Sequence, residues 1–254
     1  MATGLLILLI GNATRLSEYV LGHDKRYIAH VKLGEQTNTD DVEGEVIARG
    51  DVGDISLAQL TAMCKQFSGE LEQIPPQFSA IKRNGIRAYA LARKGEQVEL
   101  NPRIVTIHQL EILRITQDKL MLDVTCSSGT YIRALARDIG AALGCGGHLS
   151  ALRRTHIGNF SVEQAVSVAN ISPTALLPAD AATQHFAAVM LAHEAAISFI
   201  HGQSVPVIAP AQSALDDLLR VYEEGAQFIG VGKLANDKTP MVKPVKVLAA
   251  QAVA

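Results

Sequence analysis

The segment Cys126-Ser-Ser-Gly-Thr-Tyr-Ile-Arg133 joins the end of an apolar run to the start of a helical pattern through a turn of small residues. Such a turn aims free backbone N–H groups at whatever lies in front of it, which suits an anion. Arg133 falls in the first helical turn, where the helix dipole disfavours a cation. It either reaches a local carboxylate such as Asp138 or faces a partner anion. In His23-Asp-Lys-Arg-Tyr27 an aromatic stands beside two cations at a strand start. That combination can stack a base while the cations hold phosphates, or it can simply bury Tyr27 in a core. Leu152-Arg-Arg-Thr-His156 and Ser79-Ala-Ile-Lys-Arg83 place further cations on extended stretches, as phosphate contacts or as solvated edge charges. Cys145-Gly-Gly-His148 has a spacing for two metal ligands but no second pair, so no metal is expected. No Walker loop, dinucleotide fingerprint, HExxH or GxSxG occurs, which leaves phosphoryl transfer, NAD chemistry and serine hydrolysis without a foothold.

The charge distribution favours a polyanionic partner. The net charge of −2 hides a basic middle: residues 81–155 carry 12 Lys/Arg against 6 Asp/Glu. Residues 1–80 carry 6 against 11, and residues 156–254 carry 5 against 8. A basic stretch between acidic ones is the pattern of a localised phosphate-facing surface. Three cysteines without a CxxC fit a reducing compartment. The apolar run at 5–10 is too short to span a bilayer and has no basic residue before it, so a soluble cytoplasmic protein is expected, without membrane association.

These residues need a scaffold of strands and helices. Residues 5–10, bounded by glycines, read as a buried strand, and Thr14 as the cap of a short helix ending at Gly22. Tyr27, Ala29, Val31 and Leu33 alternate onto one strand face. Residues 36–44 form a polar loop. Ser56 and Gln59 make a capping box for a helix carrying Leu57, Leu60, Cys64 and Phe67. A helix is predicted over 86–94, strands over 104–107, 110–115 and 120–126, a helix over 130–143 and a strand over 149–157. Without regular βαβ alternation this is an α+β chain with a largely antiparallel, mixed sheet. Residues 172–178 read as a linker, and short strand candidates beyond 186 as a small β domain.

In order along the chain, these segments resemble the TruB family of bacterial tRNA pseudouridine-55 synthases. The resemblance is carried by Ala2-Thr-Gly-Leu-Leu, Gly11-Asn-Ala-Thr14, Asp24-Lys-Arg-Tyr27 and Thr37-x-Thr-x-Asp41-x-x-Gly44. It continues through Phe78-Ser-Ala-Ile-Lys82, Arg87-Ala-Tyr89, Ser128-Gly-Thr-Tyr-Ile-Arg133, Leu143-Gly-Cys-Gly-Gly-His148 and Leu152-Arg-Arg154. It implies a pseudouridine synthase fold over residues 1–180 and a small PUA-like, RNA-binding β domain over 186–254. The implied reaction is isomerisation of a T-loop uridine of tRNA by base flipping, without a cofactor, in a monomer. An aspartate attacks, the glycosidic bond breaks, and the uracil rotates and rejoins through carbon. By this resemblance Tyr27 stacks on the flipped base and takes part in the later proton abstraction. Arg133 pairs with the catalytic aspartate, Tyr131 supports the pocket, and the Leu152 backbone touches the uracil edge. Lys82, Arg153 and Arg154 contact RNA phosphates. The family's aspartate lies in Gly-x-Leu-Asp-Pro-x-Ala-Thr-Gly, and this chain opens at Met1-Ala-Thr-Gly4, so the nucleophile is expected just before Met1. The expectation is a natural protein with a few dozen more residues; the rival is a catalytically dead tRNA-binding or tRNA-folding protein. Asn38 stands where the family often has an acid, which is expected to loosen its loop.

Overall fold

The computed structural model describes residues 2–83, 85–92, 99–211, 213–236 and 239–248, with the side chains of Lys82, Arg83 and Asn236 outside the description. In chain order the elements begin with β1 (Ala2–Gly4), α1 (Ser17–Leu21), β2 (Lys25–Leu33), β3 (Glu35–Thr37), β4 (Val46–Arg49) and α2 (Leu57–Gln66). They continue with β5 (Gly69–Gln73), β6 (Lys82–Arg83), β7 (Ile86–Arg87), α3 (Ala88–Ala92), β8 (Arg103–Thr116) and β9 (Lys119–Cys126). Next come α4 (Ile132–Ala142), β10 (Gly147–Ile157), β11 (Phe160–Ser161), β12 (Ala187–Leu191) and α5 (His193–Ile200). The last are β13 (Val205–Pro206), β14 (Leu218–Glu223), β15 (Gln227–Asn236) and β16 (Pro240–Val247).

The chain forms two compact units that do not follow a single cut: Met1–Leu6 with His23–Ala165, and Ile7–Gly22 with Val166–Ala254. In the first, the strands run β1-β10-β2-β9-β8-β5, with β11 added to β10. Every pairing is antiparallel except that of β1 with β10. One face of this sheet, built on Ala29, Val31, Leu120, Leu122 and Val124, is closed by Leu60 and Met63 of α2 and by Ile132, Leu135 and Ile139 of α4. The predicted alternation of β2 and the inward face of α4 are therefore as read. So is the α2 cap: Ser56 Oγ accepts from the Gln59 N–H, and the Gln59 side chain returns to the Ser56 N–H. Leu57 of that helix is exposed, and Met63 takes the inward place instead.

Two sequence expectations fail at the N-terminus. The strand is Ala2–Gly4, and in residues 5–10 Leu5 is buried while Leu6, Leu8 and Ile10 are exposed. An apolar run says nothing about which neighbour will cover it, and here the sheet pairing ends after Gly4. Thr14 does not cap a helix. Its hydroxyl donates to the Gly11 carbonyl within a 3-10 turn, and α1 follows directly. Residues 104–107 and 110–115 form one strand, β8, with register shifts after Ile107 and Ile112. The expected helix over 86–94 appears as α3 over Ala88–Ala92; residues 93 and 94 lie outside the described residues.

The second unit is a sheet in the order β12-β14-β15-β16-β13, packed on α5 through Phe199. Residues 7–22 fold with it. Asn12 Nδ2 donates to the Leu248 carbonyl, Glu18 pairs with Lys246, and the Tyr19 ring meets Phe186 edge-on at 5.2 Å. No helix among the described residues is long and apolar enough to cross a membrane.

Candidate functional site

Tyr27 lies on the core-facing side of β2, between Val124 of β9 and Arg154 of β10 in register. Burial pushes its phenol above the usual tyrosine range, and the neighbouring Cys126 adds to this, while the Arg154 guanidinium hydrogen-bonded to it works the other way. The phenol is therefore protonated through neutral pH, which suits stacking and hydrogen bonding more directly than proton abstraction. Burial likewise raises the Cys126 thiol to about 11, so it offers no thiolate.

Leu152 and Arg154 share the face of Tyr27, because Leu152 pairs with Ala29 and Arg154 with Tyr27. Arg153 alternates to the opposite face and is exposed. Arg154 Nε donates to the Leu5 carbonyl at 2.9 Å, and the Leu152 carbonyl accepts from Thr3 Oγ1. Lys82 sits in β6, and its side chain lies outside the described residues. Gly4 is required beside Arg154: at φ +93° an added Cβ would stand 2.2 Å from the Arg154 carbonyl oxygen.

The start of α4 holds the second half of the site. Tyr131 is its N-cap residue, and its N–H donates to Gln73 Oε1 at 2.8 Å. Arg133 reaches away from Asp138. Its Nη1 donates to Asp41 Oδ2 at 2.9 Å and to the Thr39 carbonyl at 3.1 Å, and its Nη2 to the Phe78 carbonyl at 2.7 Å. The Asp41 side chain is 7 % exposed and also accepts from Thr39 Oγ1 and the Glu43 N–H. A cation in a first helical turn thus has its anion, supplied by the 37–44 loop. Asn38 closes this loop rather than loosening it, because its Oδ1 accepts from the Glu45 N–H.

A cavity of about 400 Å³ opens beside Arg133, lined among others by Thr39, Asp41, Phe78, Ser79 and Tyr89. Among the described residues the buried Ser79 hydroxyl and the Gln73 amide nitrogen have no hydrogen-bond partner. Spacing alone did not reveal Arg137, Asp40 or Gln73 as part of this network. The repeat of arginine at i and i+4 was the available signal, since it sets both guanidiniums on one helix face. Cys145 and His148 serve the framework: the thiol donates to the Gly146 carbonyl, and His148 Nδ1 lies 3.0 Å from the Glu35 carbonyl oxygen. Gly140 lets α4 touch the start of β10, since a Cβ there would stand 2.2 Å from the Gly147 nitrogen.

Residues 1–132 match the N-terminal domain of TruB family pseudouridylate synthases, residues 133–198 the C-terminal domain of tRNA pseudouridylate synthase B, and residues 187–248 the C-terminal region of pseudouridine synthase II TruB. The chain is 41 % identical over 248 residues to tRNA pseudouridine synthase B of Stutzerimonas stutzeri (strain A1501), covering 93 % of this chain and 80 % of that one. It is 41 % identical over 260 residues to the protein of the same name in Chromobacterium violaceum, covering 99 % and 83 %. Among solved structures, a Cbf5-Nop10-Gar1 complex aligns with a TM-score of 0.71 at 25 % identity, covering 95 % of this chain and 71 % of that one. An H/ACA RNP bound to a substrate RNA containing 2'-deoxyuridine aligns with a TM-score of 0.70 at 23 % identity, covering 96 % and 71 %. The expected fold, a mixed, largely antiparallel sheet followed by a smaller β domain, is the fold of these neighbours. The chain belongs to the TruB family of pseudouridylate synthases.

Proposed function

We propose that this protein isomerises a uridine in the T-loop of tRNA to pseudouridine, and that its monomer acts in the cytoplasm without a cofactor. The observation that carries the reading is the pairing of Tyr27 with Leu152 and Arg154 at one end of the sheet, together with Arg133 braced by Asp41 at the adjoining helix start. The flipped uracil stacks on Tyr27, with the Leu152 backbone at its edge and Tyr131 supporting the pocket wall. Lys82 and Arg153 hold phosphates outside the pocket, and residues 186–254 act as a further RNA-binding domain. The basic balance of residues 81–155 supports this placement.

By the resemblance the nucleophile is the aspartate of the Gly-x-Leu-Asp-Pro-x-Ala-Thr-Gly motif, which bonds to C1' and is released again when C1' joins C5. The C1'–N1 bond breaks, the uracil turns, and C1' bonds to C5, whose proton leaves while N1 regains one. No atom is gained or lost, which is why no co-reactant is needed. Arg154 braces the Tyr27 phenol and adds positive charge beside the RNA, a role that its contact with Leu5 leaves open to only part of its guanidinium.

Two tests follow from this division of labour. In a form carrying the aspartate, Tyr27→Ala abolishes turnover while lowering tRNA affinity by only about five- to 150-fold, because a single stacked base contributes ~1–3 kcal/mol. A loss of binding equal to the loss of turnover would place Tyr27 in docking instead. Arg153→Ala weakens binding to all tRNAs alike and lowers the slope of log K against log salt by about 1. An unchanged slope removes Arg153 from the phosphate contacts.

A further inference from the structure

Arg133 is not the only guanidinium that α4 sends towards the 37–44 loop. Arg137, one turn later, repeats its pattern on the same two segments. Its Nη1 donates to Asp40 Oδ2, its Nη2 to the Ile74 carbonyl and its Nε to Asp138 Oδ1, each at 2.9 Å. Arg133 takes Asp41 and the Phe78 carbonyl, so consecutive aspartates and two carbonyls four residues apart are matched to two arginines four residues apart. The helix thereby staples the 37–44 loop and the stretch after β5 to each other.

Asp40 is the strained point of that loop. Its φ is +60°, the left-handed region, which aspartate enters more readily than most side chains but still at a cost that its surroundings must meet. Two backbone bonds help to hold it: its N–H donates to the Thr37 carbonyl, and its carbonyl accepts the Leu149 N–H at 3.0 Å. Its side chain is 14 % exposed and has the Arg137 guanidinium as counter-ion. Burial raises the Asp40 pKa, and Arg137 is the largest influence opposing the rise. Because Asp41 follows directly, the direction of its carboxylate is fixed by the turn at Asp40.

We propose that Arg137 is a positioning residue: by holding Asp40 in its left-handed turn and anchoring the Ile74 carbonyl, it aims Asp41 at Arg133 and so sets where the Arg133 guanidinium stands in the pocket. The proposal rests on the pseudouridine synthase reading for its effect on turnover, but its structural half stands apart from it. Neither Arg137 nor Asp40 lines the cavity beside Arg133. Lysine cannot replace Arg137 fully, because a single ammonium does not reproduce a planar fork spread over three acceptors.

The experiment compares Arg137→Gln, Asp40→Asn and the double variant in a form carrying the nucleophile. Each single change is expected to lower kcat about tenfold with KM for tRNA unchanged, and the double to be no worse than either single. Arg137→Lys recovers part of the loss. Unchanged kcat in folded variants, additive losses, or a raised KM with kcat held would each overturn the proposal. Amide exchange supplies a readout independent of turnover. In Arg137→Gln of the chain as it stands, the Leu149 and Val42 N–H groups lose protection by about tenfold, while Leu135 and Ile139 in α4 keep theirs. If the parent enzyme forms no pseudouridine, the functional reading fails and the exchange result still decides whether Arg137 positions the loop. Unchanged protection at Leu149 and Val42 overturns it.

Discussion

Extended in frame by Gly-x-Leu-Asp-Pro ahead of Met1, the chain is expected to form pseudouridine in unmodified tRNA, and Asp→Asn within that extension to slow it by on the order of 10⁴-fold. The register of the sheet edge supports this. Ala2 opposes Leu152 on β10 in a parallel pairing, and Asp41 makes a parallel bridge with Leu149 on the same strand. Three strand positions separate the two, or about 10 Å at ~3.3 Å per residue. β1 and the 37–44 loop therefore lie along the same edge of β10, and Asp41 of that loop meets Arg133. Three of the acids already nearby are committed elsewhere. Asp40 is bound to Arg137 in a strained turn, Asp41 accepts from three donors, and Asp24 lies 3.1 Å from His108. Isotope-labelled tRNA and a nucleoside digest measure the product. Undiminished turnover in the Asp→Asn form would sink the placement of the nucleophile and make Asp41 the acid to test. Tight tRNA binding by both forms with product from neither would favour the tRNA-folding alternative.

The parts of this fold that the sequence made legible are those set by local chemistry. The β2 alternation, the Ser56–Gln59 box and the apolar face of α4 all depend on contacts within one element or between its immediate neighbours. What stayed hidden depends on partners remote in sequence. Residues 7–22 have a helical pattern of their own, with Leu16 and Val20 buried. Yet they fold with the C-terminal unit through bonds such as Arg15 to the Val247 carbonyl and Asn12 to the Leu248 carbonyl. A backbone carbonyl more than 230 residues away leaves no trace in spacing. The same holds for Arg133. Its position in the first turn of a helix announced an anion, and Asp138 was the nearest candidate along the chain. The structure gives Asp138 to Arg137 and brings Asp41 across the fold instead. Alternation within β10 was the usable clue for Arg153 and Arg154. Neighbours on a strand face opposite ways, and only Arg154 meets Tyr27.

Arg133→Ala is expected to remove turnover by about 10³-fold and to lower the unfolding free energy by about 3 kcal/mol, the low end of the cost of leaving a buried carboxylate unpaired. The low end applies because Asp41 keeps the Thr39 hydroxyl and the Glu43 N–H. Two carbonyls, Thr39 and Phe78, lose their donor at the same time and can turn to water only where the cavity admits it. Urea unfolding followed by two probes measures the loss, and a further Asp41→Ala change should recover part of it by removing the stranded charge. Arg133→Lys separates the two effects. A lysine ammonium can pair with Asp41 and restore much of the stability, but it cannot also span the Thr39 and Phe78 carbonyls, so the charge in the pocket is no longer held in one place. Stability returned without turnover is the expected outcome, and it assigns the Arg133 fork to geometry as well as charge. Wild-type turnover in Arg133→Lys would show that a positive charge alone suffices there, and wild-type stability in Arg133→Ala would show that Asp41 is adequately solvated through the neighbouring cavity.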